Sequence, residues 1–198
     1  MCFLFDRGAT VIYPKEKVLE AFDLKEAYPD AVLVAEYDGW KVDGAEYGNS
    51  PAEVEHADIA GRSVIMVTSA GTRGIVGSMH ADTVITGSFV NVGAVISYIR
   101  EVNPEVLSLL ITDDRWDDAE DALCAKYIED SVLGKQPDFL PIRNHLIAHP
   151  TSDGFITHPR TPESKKDFDL AMNIDRFPFI IQASYDNNML VLRKTTVG

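Results

Sequence analysis

A chain of 198 residues, 45% hydrophobic and 25% charged, has globular composition and enough length to bury a core without disulfide or metal staples. Eighteen Lys and Arg against 31 Asp and Glu leave a net charge of −13 (pI ≈ 4.7), which repels nucleic-acid backbones and anionic lipid, and no apolar run approaches the roughly 18 residues of a membrane span. Disordered, collagen-like, nucleic-acid-binding and membrane classes are set aside, and an anionic substrate would need a local island of positive charge or a metal.

Residues 9–13 read as a strand ended by Pro14, and 15–27 as a helix with Val18, Leu19, Phe22 and Ala27 near one face. The run AVLVA at 31–35 predicts a second strand ending at Glu36, and Asp38-Gly39 turns into a short hairpin arm at 40–42. Ser50, Pro51 and Glu53 form a helix start: a cap, a proline at the first position, and a carboxylate at capping-box spacing. Three more strands are predicted at 63–67 (SVIMV), 83–86 (TVIT) and 106–111 (VLSLLI). These runs lack polar alternation, as strands buried on both faces of a helix-covered sheet do.

Helices are predicted at 91–102, at 119–133 with Gly134 as the stop, and at 163–173. Residues 134–162 are richer in proline and read as an irregular connection with a short helix around 144–148. Residues 177–185 and 189–193 pair as a hairpin across Asn187-Asn188. The expected architecture is one α/β domain over 1–198, three-layered α/β/α around a mostly parallel or mixed sheet.

Ligand crevices of open α/β sheets lie outside the carboxyl ends of the strands. If strands 31–35, 63–67, 83–86 and 106–111 are parallel neighbours, the loops after them converge on one cleft. Thr68-Ser69-Ala70-Gly71-Thr72-Arg73 then has the make-up of an anion cradle, with hydroxyl and N–H donors, a glycine for close approach, and the Arg73 charge. The same residues also suit an ordinary polar turn. Asp113, Asp114, Asp117, Asp118, Glu120 and Asp121 suit either a hard divalent cation or the solvated start of a helix.

His145 and His149, four apart, can share a helix face as zinc ligands, but no carboxylate or cysteine stands beside them at ligand spacing. His56, His80 and His158 are isolated. Cys2 and Cys124 read as free thiols of a reducing compartment. The apolar N-terminus is too short for a signal-peptide core, so a cytoplasmic location is expected.

Several strings occur together in one order: Glu36 before Asp38-Gly39, Gly48-Asn49-Ser50-Pro51, the 68–73 run, Gly87-Ser88-Phe89-Val90-Asn91, and Glu120-Asp121 opening a helix. In that order the chain resembles the 2-phosphosulfolactate phosphatase family, from about Asp6 to the C-terminus and most weakly over 134–162. The resemblance implies an α/β/α fold, Mg²⁺, and hydrolysis of a small anionic phosphate ester in coenzyme M biosynthesis. It implies Glu36, Glu120 and Asp121 beside the metal, with Glu36 and Asp121 sharing it and carrying catalysis. It implies Asn49, Ser50, Thr68, Ser69, Gly71, Thr72, Arg73, Ser88 and Asn91 on the anion-binding side.

Departures accompany it. The family's opening strand and its Asp-Val-Leu-Arg-Ala type motif find no match in this sequence. Ala35-Glu36-Tyr37 stands where the family has Gly-Glu-Arg, and Asp113-Asp114 where it has Ala-Gly. The gap left in the sheet is expected to be closed by the sheet itself, by another segment, or by a second subunit in a homo-oligomer. The alternative function is that of a catalytically impaired member serving as a small-molecule binding or interaction module.

Overall fold

A computed structural model describes residues 1–112 and 117–197. They belong to two compact units, Met1–Thr86 with Ile181–Thr195, and Gly87–Ile180 with Thr196–Gly198.

The first unit is built on a seven-stranded sheet. Its strands are β1 (Val11–Lys15), β2 (Val32–Tyr37), β3 (Trp40–Lys41), β4 (Ser63–Val67), β5 (Val84–Thr86), β6 (Phe179–Asp186) and β7 (Met189–Thr196), in the order β3-β2-β4-β1-β7-β6-β5. β2, β4 and β1 run parallel, with Val32 opposite Val64 and Val11 opposite Ser63. β3 lies antiparallel on β2, β7 on β1 and β5 on β6. The sheet is mixed and flanked by helices, consistent with the three-layer α/β class expected.

Unbroken apolar runs give strands covered on both faces, because successive side chains point to opposite sides. Leu33, Ala35, Ile65 and Val67 form one core cluster with Ala21 of α2 (Val18–Ala27), while Val32, Val34 and Val64 are equally buried on the other face. Pro14 lies inside β1, not at its end. The parallel ladder with β4 continues past it, Pro14 standing opposite Met66, while the β1–β7 pairing is confined to Ile12 and Leu192.

Two tight turns follow directly from local chemistry. Asp38 and Gly39 have φ of 52° and 81°, and Asn187 and Asn188 have 48° and 63°. Asp-Gly and Asn-Asn tolerate this left-handed backbone, which a two-residue hairpin matched to strand twist requires. The unit is completed by α1 (Cys2–Asp6), which the sequence did not predict, by α3 (Pro51–Val54), against which α1 packs, and by α4 (Gly71–Gly77).

The second unit is helical: α5 (Val92–Val102), α6 (Glu120–Val132), α7 (Phe139–Ala148) and α8 (Ser164–Ala171), with short 3₁₀ turns at Phe89–Asn91 and Pro150–Ser152. α5 buries Val92, Val95, Ile96 and Ile99 and packs on α6. It ends at Asn103, whose φ of 47° is the left-handed cap that asparagine accepts. α7 is a full ten-residue helix where only a short one was expected. Both cysteines are buried, and no disulfide forms among the described residues. Among the described residues no helix is long and apolar enough to cross a membrane.

Two strand expectations are corrected. Residues 106–111 form no strand, and Val106 is 78% exposed. A strand needs a neighbour offering a hydrogen-bonding edge, and the sheet positions beyond β1 are taken by the β6–β7 hairpin. For the same reason β5 is no neighbour of β4. It sits at the far edge, three antiparallel steps from β1 through β7 and β6. Its carboxyl end therefore lies on the opposite edge of the sheet from those of β2 and β4. The convergence of four strand ends on one cleft is overturned; the shared edge belongs to β2 and β4.

Candidate functional site

The parallel pairing of β2 and β4 brings Glu36 beside the turn that leads from β4 into α4. Ser69 Oγ donates to Glu36 Oε1 at 2.9 Å, and the Ser69 N–H donates to Oε2 at 3.2 Å. The Gly39 N–H adds a third donor to Oε1 at 2.5 Å, and the Asp38 N–H donates to Ser69 Oγ at 2.7 Å. The turn thus already holds one oxyanion, the carboxylate of Glu36.

Beneath it, Thr68 and Thr72 lock each other. The Thr68 N–H donates to Thr72 Oγ1, the Thr72 N–H donates to Thr68 Oγ1, both at 3.2 Å, and Thr72 Oγ1 donates to Thr68 O at 3.1 Å. Thr72 is fully buried and Thr68 nearly so. Gly71 has no left-handed φ, and a Cβ built on it would meet only Thr68 Oγ1 at 3.5 Å, so packing does not demand glycine there. Arg73 is exposed and makes no ion pair or hydrogen bond among the described residues. Its guanidinium is a cation at this turn that no described residue neutralises.

Asn49 is exposed just before α3. Ser50 caps α3, accepting the Glu53 N–H at 3.1 Å, and the Glu53 carboxylate accepts the Gly48 N–H at 2.8 Å.

In the second unit Ser88 and Asn91 form a capping box around the 3₁₀ turn. Asn91 Oδ1 accepts the Ser88 N–H and O–H, and its Nδ2 donates to Phe179 O at 3.3 Å. Asn91 is completely buried, so its amide organises backbone. Glu120 and Asp121 open α6. Burial, with the adjacent Asp121 charge and hydrogen bond, pushes the Glu120 pKa up to about 8. Thr112 Oγ1 donates to Asp121 Oδ2 at 2.7 Å. Asp113 and Asp114 lie outside the described residues.

The structure thus joins Glu36 with Ser69, Thr68 with Thr72, Ser88 with Asn91, and Glu120 with Asp121. Glu36 belongs to the first unit and Asp121 to the second. Sequence reading missed that Glu36 itself occupies donors of the 68–73 turn. Only the register of two strands shows that. It also missed Asp118 beside His145 and His149, which are separated from it by 27 and 31 residues of chain.

The 2-phosphosulpholactate phosphatase family matches residues 1–151. A probable 2-phosphosulfolactate phosphatase of Carboxydothermus hydrogenoformans is 36% identical over 129 residues, covering 65% of this chain and 53% of the relative. Proteins of the same name from Caldicellulosiruptor saccharolyticus and Clostridium acetobutylicum are 31% and 33% identical, covering 74% and 66% of this chain and 64% and 56% of the relatives. The chain therefore spans between about half and two thirds of the length of these relatives.

Proposed function

Because this chain belongs to the 2-phosphosulfolactate phosphatase family, we propose that it takes part in hydrolysis of a small phosphate ester carrying a second anionic group, as 2-phosphosulfolactate does. The supporting observation is the turn after β4: it hydrogen-bonds an oxyanion through Ser69 and presents Arg73 without a partner among the described residues. In a chain with a net charge of −13, an uncommitted arginine at such a turn is where a phosphate or sulfonate gains most.

Mg²⁺ belongs to this proposal. The donor set suits it: Glu120 and Asp121 are hard oxygen ligands, and Mg²⁺ is commonly bound by one or two carboxylates with water and phosphate oxygens. Bound there, the cation would supply charge neutralisation for a phosphoryl group. Glu36 contributes by fixing Ser69 and hence the course of the turn.

A second reading, a binding module without turnover, is favoured by one observation. The N–H groups of Thr68, Ser69 and Thr72 already donate within the turn or to Glu36, which leaves fewer donors for a developing charge. One experiment separates the two. Phosphate release is measured on a panel of phosphate esters, sulfonate-bearing ones included, with Mg²⁺ titrated in, for the wild type, Arg73→Ala and Asp121→Asn. Metal-dependent turnover that collapses in Asp121→Asn supports the enzyme. Ester binding without turnover, weakened in Arg73→Ala, supports the module. Neither turnover nor binding rejects both.

A further inference from the structure

We propose that Asp118, His145 and His149 form a site for a divalent transition-metal cation of the zinc class, contained within the second unit. α7 carries His145 in its last turn and His149 at its C-cap. Residues four apart on a helix stand on the same face, and the two imidazole rings lie 5.4 Å apart between centroids. Asp118, just ahead of α6, meets both. His145 Nε2 is 3.2 Å from Asp118 Oδ2, and His149 Nε2 is 3.1 Å from Asp118 Oδ1. One ligand atom from each residue falls within 4.8 Å of the other two.

A tetrahedral zinc with bonds of about 2.0–2.1 Å sets its ligand atoms about 3.3 Å apart. Each imidazole Nε2 is already at this spacing from one carboxylate oxygen, His145 from Oδ2 and His149 from Oδ1, and the set with one oxygen lies within 4.8 Å. Rotation of the exposed Asp118 carboxylate and His145 ring would draw one oxygen and both nitrogens onto a single cation. His149 is buried and held from behind, its Nδ1 2.8 Å from Thr151 Oγ1. The ring also accepts the Thr151 N–H at Nδ1, a bond it gives up when the Nδ1 proton turns to Thr151 Oγ1 and Nε2 becomes the ligand. A hydrogen bond of that kind, from the far nitrogen of a metal-bound histidine, orients the ring and raises its basicity.

The opposite side is open. A cleft lined by Asp118, His145, Ala148, His149 and Pro150 gives access to the three donors. Three protein ligands with one accessible position are the arrangement of zinc sites that take water or an anionic oxygen as fourth ligand. Two imidazoles and one carboxylate favour Zn²⁺, Co²⁺ or Ni²⁺ over Mg²⁺, which prefers oxygen throughout. None of the three residues belongs to the family strings, so this site stands apart from the phosphatase reading.

The test uses the full chain, untagged and stripped with a chelator. Zn²⁺ is titrated calorimetrically, and Co²⁺ serves as a visible-absorbing substitute. The expected result is one Zn²⁺ per chain, a tetrahedral Co²⁺ absorption that Zn²⁺ abolishes, and no competition from excess Mg²⁺. His145→Ala and Asp118→Ala remove exposed side chains, so their folds should hold by far-UV circular dichroism. Losing even a supporting partner weakens metal sites about 10–100-fold, so losing a ligand should weaken Zn²⁺ by at least about 100-fold. His158→Ala removes an exposed imidazole that stands 3.0 Å from Asp153 Oδ1, away from the three proposed ligands, and should bind as the wild type does. Failure to bind Zn²⁺ below millimolar concentration overturns the site. So does equal affinity in the wild type and His145→Ala, or equal competition by Mg²⁺.

Discussion

Replacing Thr72 by valine should destabilise the protein more than replacing it by serine. Thr72 is fully buried, and its hydroxyl serves two backbone groups of Thr68, accepting the N–H at 3.2 Å and donating to the carbonyl at 3.1 Å. Valine has nearly the shape of threonine, so Thr72→Val opens no cavity. It leaves a buried N–H and a buried C=O without this partner, at about 1–3 kcal/mol each. The added methyl returns about 0.8 kcal/mol. The net loss is about 1–5 kcal/mol, centred near 3. Serine keeps both hydrogen bonds and gives up one methyl, a loss of about 1 kcal/mol. With a urea slope of roughly 2 kcal/mol per molar, the valine midpoint should fall by about 1.5 M and the serine midpoint by about 0.5 M. Urea titrations followed by far-UV circular dichroism give the order Thr, Ser, Val. If the core at this position were held by apolar packing alone, valine would be the milder change. A Thr72→Val protein as stable as Thr72→Ser, or more so, would refute the interlocked-turn reasoning. The result bears on function because the same bonds set the path from Ser69 to Arg73.

Three further outcomes are expected. Arg73→Ala should weaken sulfonate or phosphate binding by about 1.5–3 kcal/mol, the range for hydrogen bonds to charged groups, and leave the urea midpoint unchanged; calorimetry reading equal affinities would take Arg73 out of the site. Asn91→Ala, which strips a fully buried amide from Ser88 and Phe179 O, should cost about 2–4 kcal/mol at the denaturation midpoint while leaving anion affinity at the 68–73 turn intact. Burial acts to raise the Glu46 pKa, but Lys25 and the Leu33 N–H outweigh it and hold the carboxyl below its ordinary 4.5. Stability from this group is therefore present above pH 4.5 and is lost as pH falls through the lower folded value. Glu46→Gln should flatten that acid limb by no more than about 1 kcal/mol, since the pair is partly exposed. An unchanged acid limb would show that Glu46 does not contribute.

The sequence alone determined what short-range physics controls. Unbroken apolar runs at 31–35 and 63–67 became β2 and β4, because strands buried on both faces exclude polar alternation. Asp38-Gly39 and Asn187-Asn188 became hairpin turns, because few residues accept a left-handed backbone. Ser50 became a cap, because a serine oxygen there reaches the N–H three residues on. The family strings were legible for the same reason: they lie in contiguous stretches.

What only the tertiary structure decided is pairing. The run at 106–111 is as apolar as β4 and forms no strand, because strand formation needs a neighbouring edge and no local pattern supplies one. The far-edge position of β5 follows from a hairpin almost 100 residues away in the chain. Glu36 lies on the donors of the 68–73 turn only because β2 and β4 run in parallel register. Asp118 meets His145 and His149 only because α7 packs where the chain ahead of α6 can reach it, a contact that spacing along the sequence does not encode.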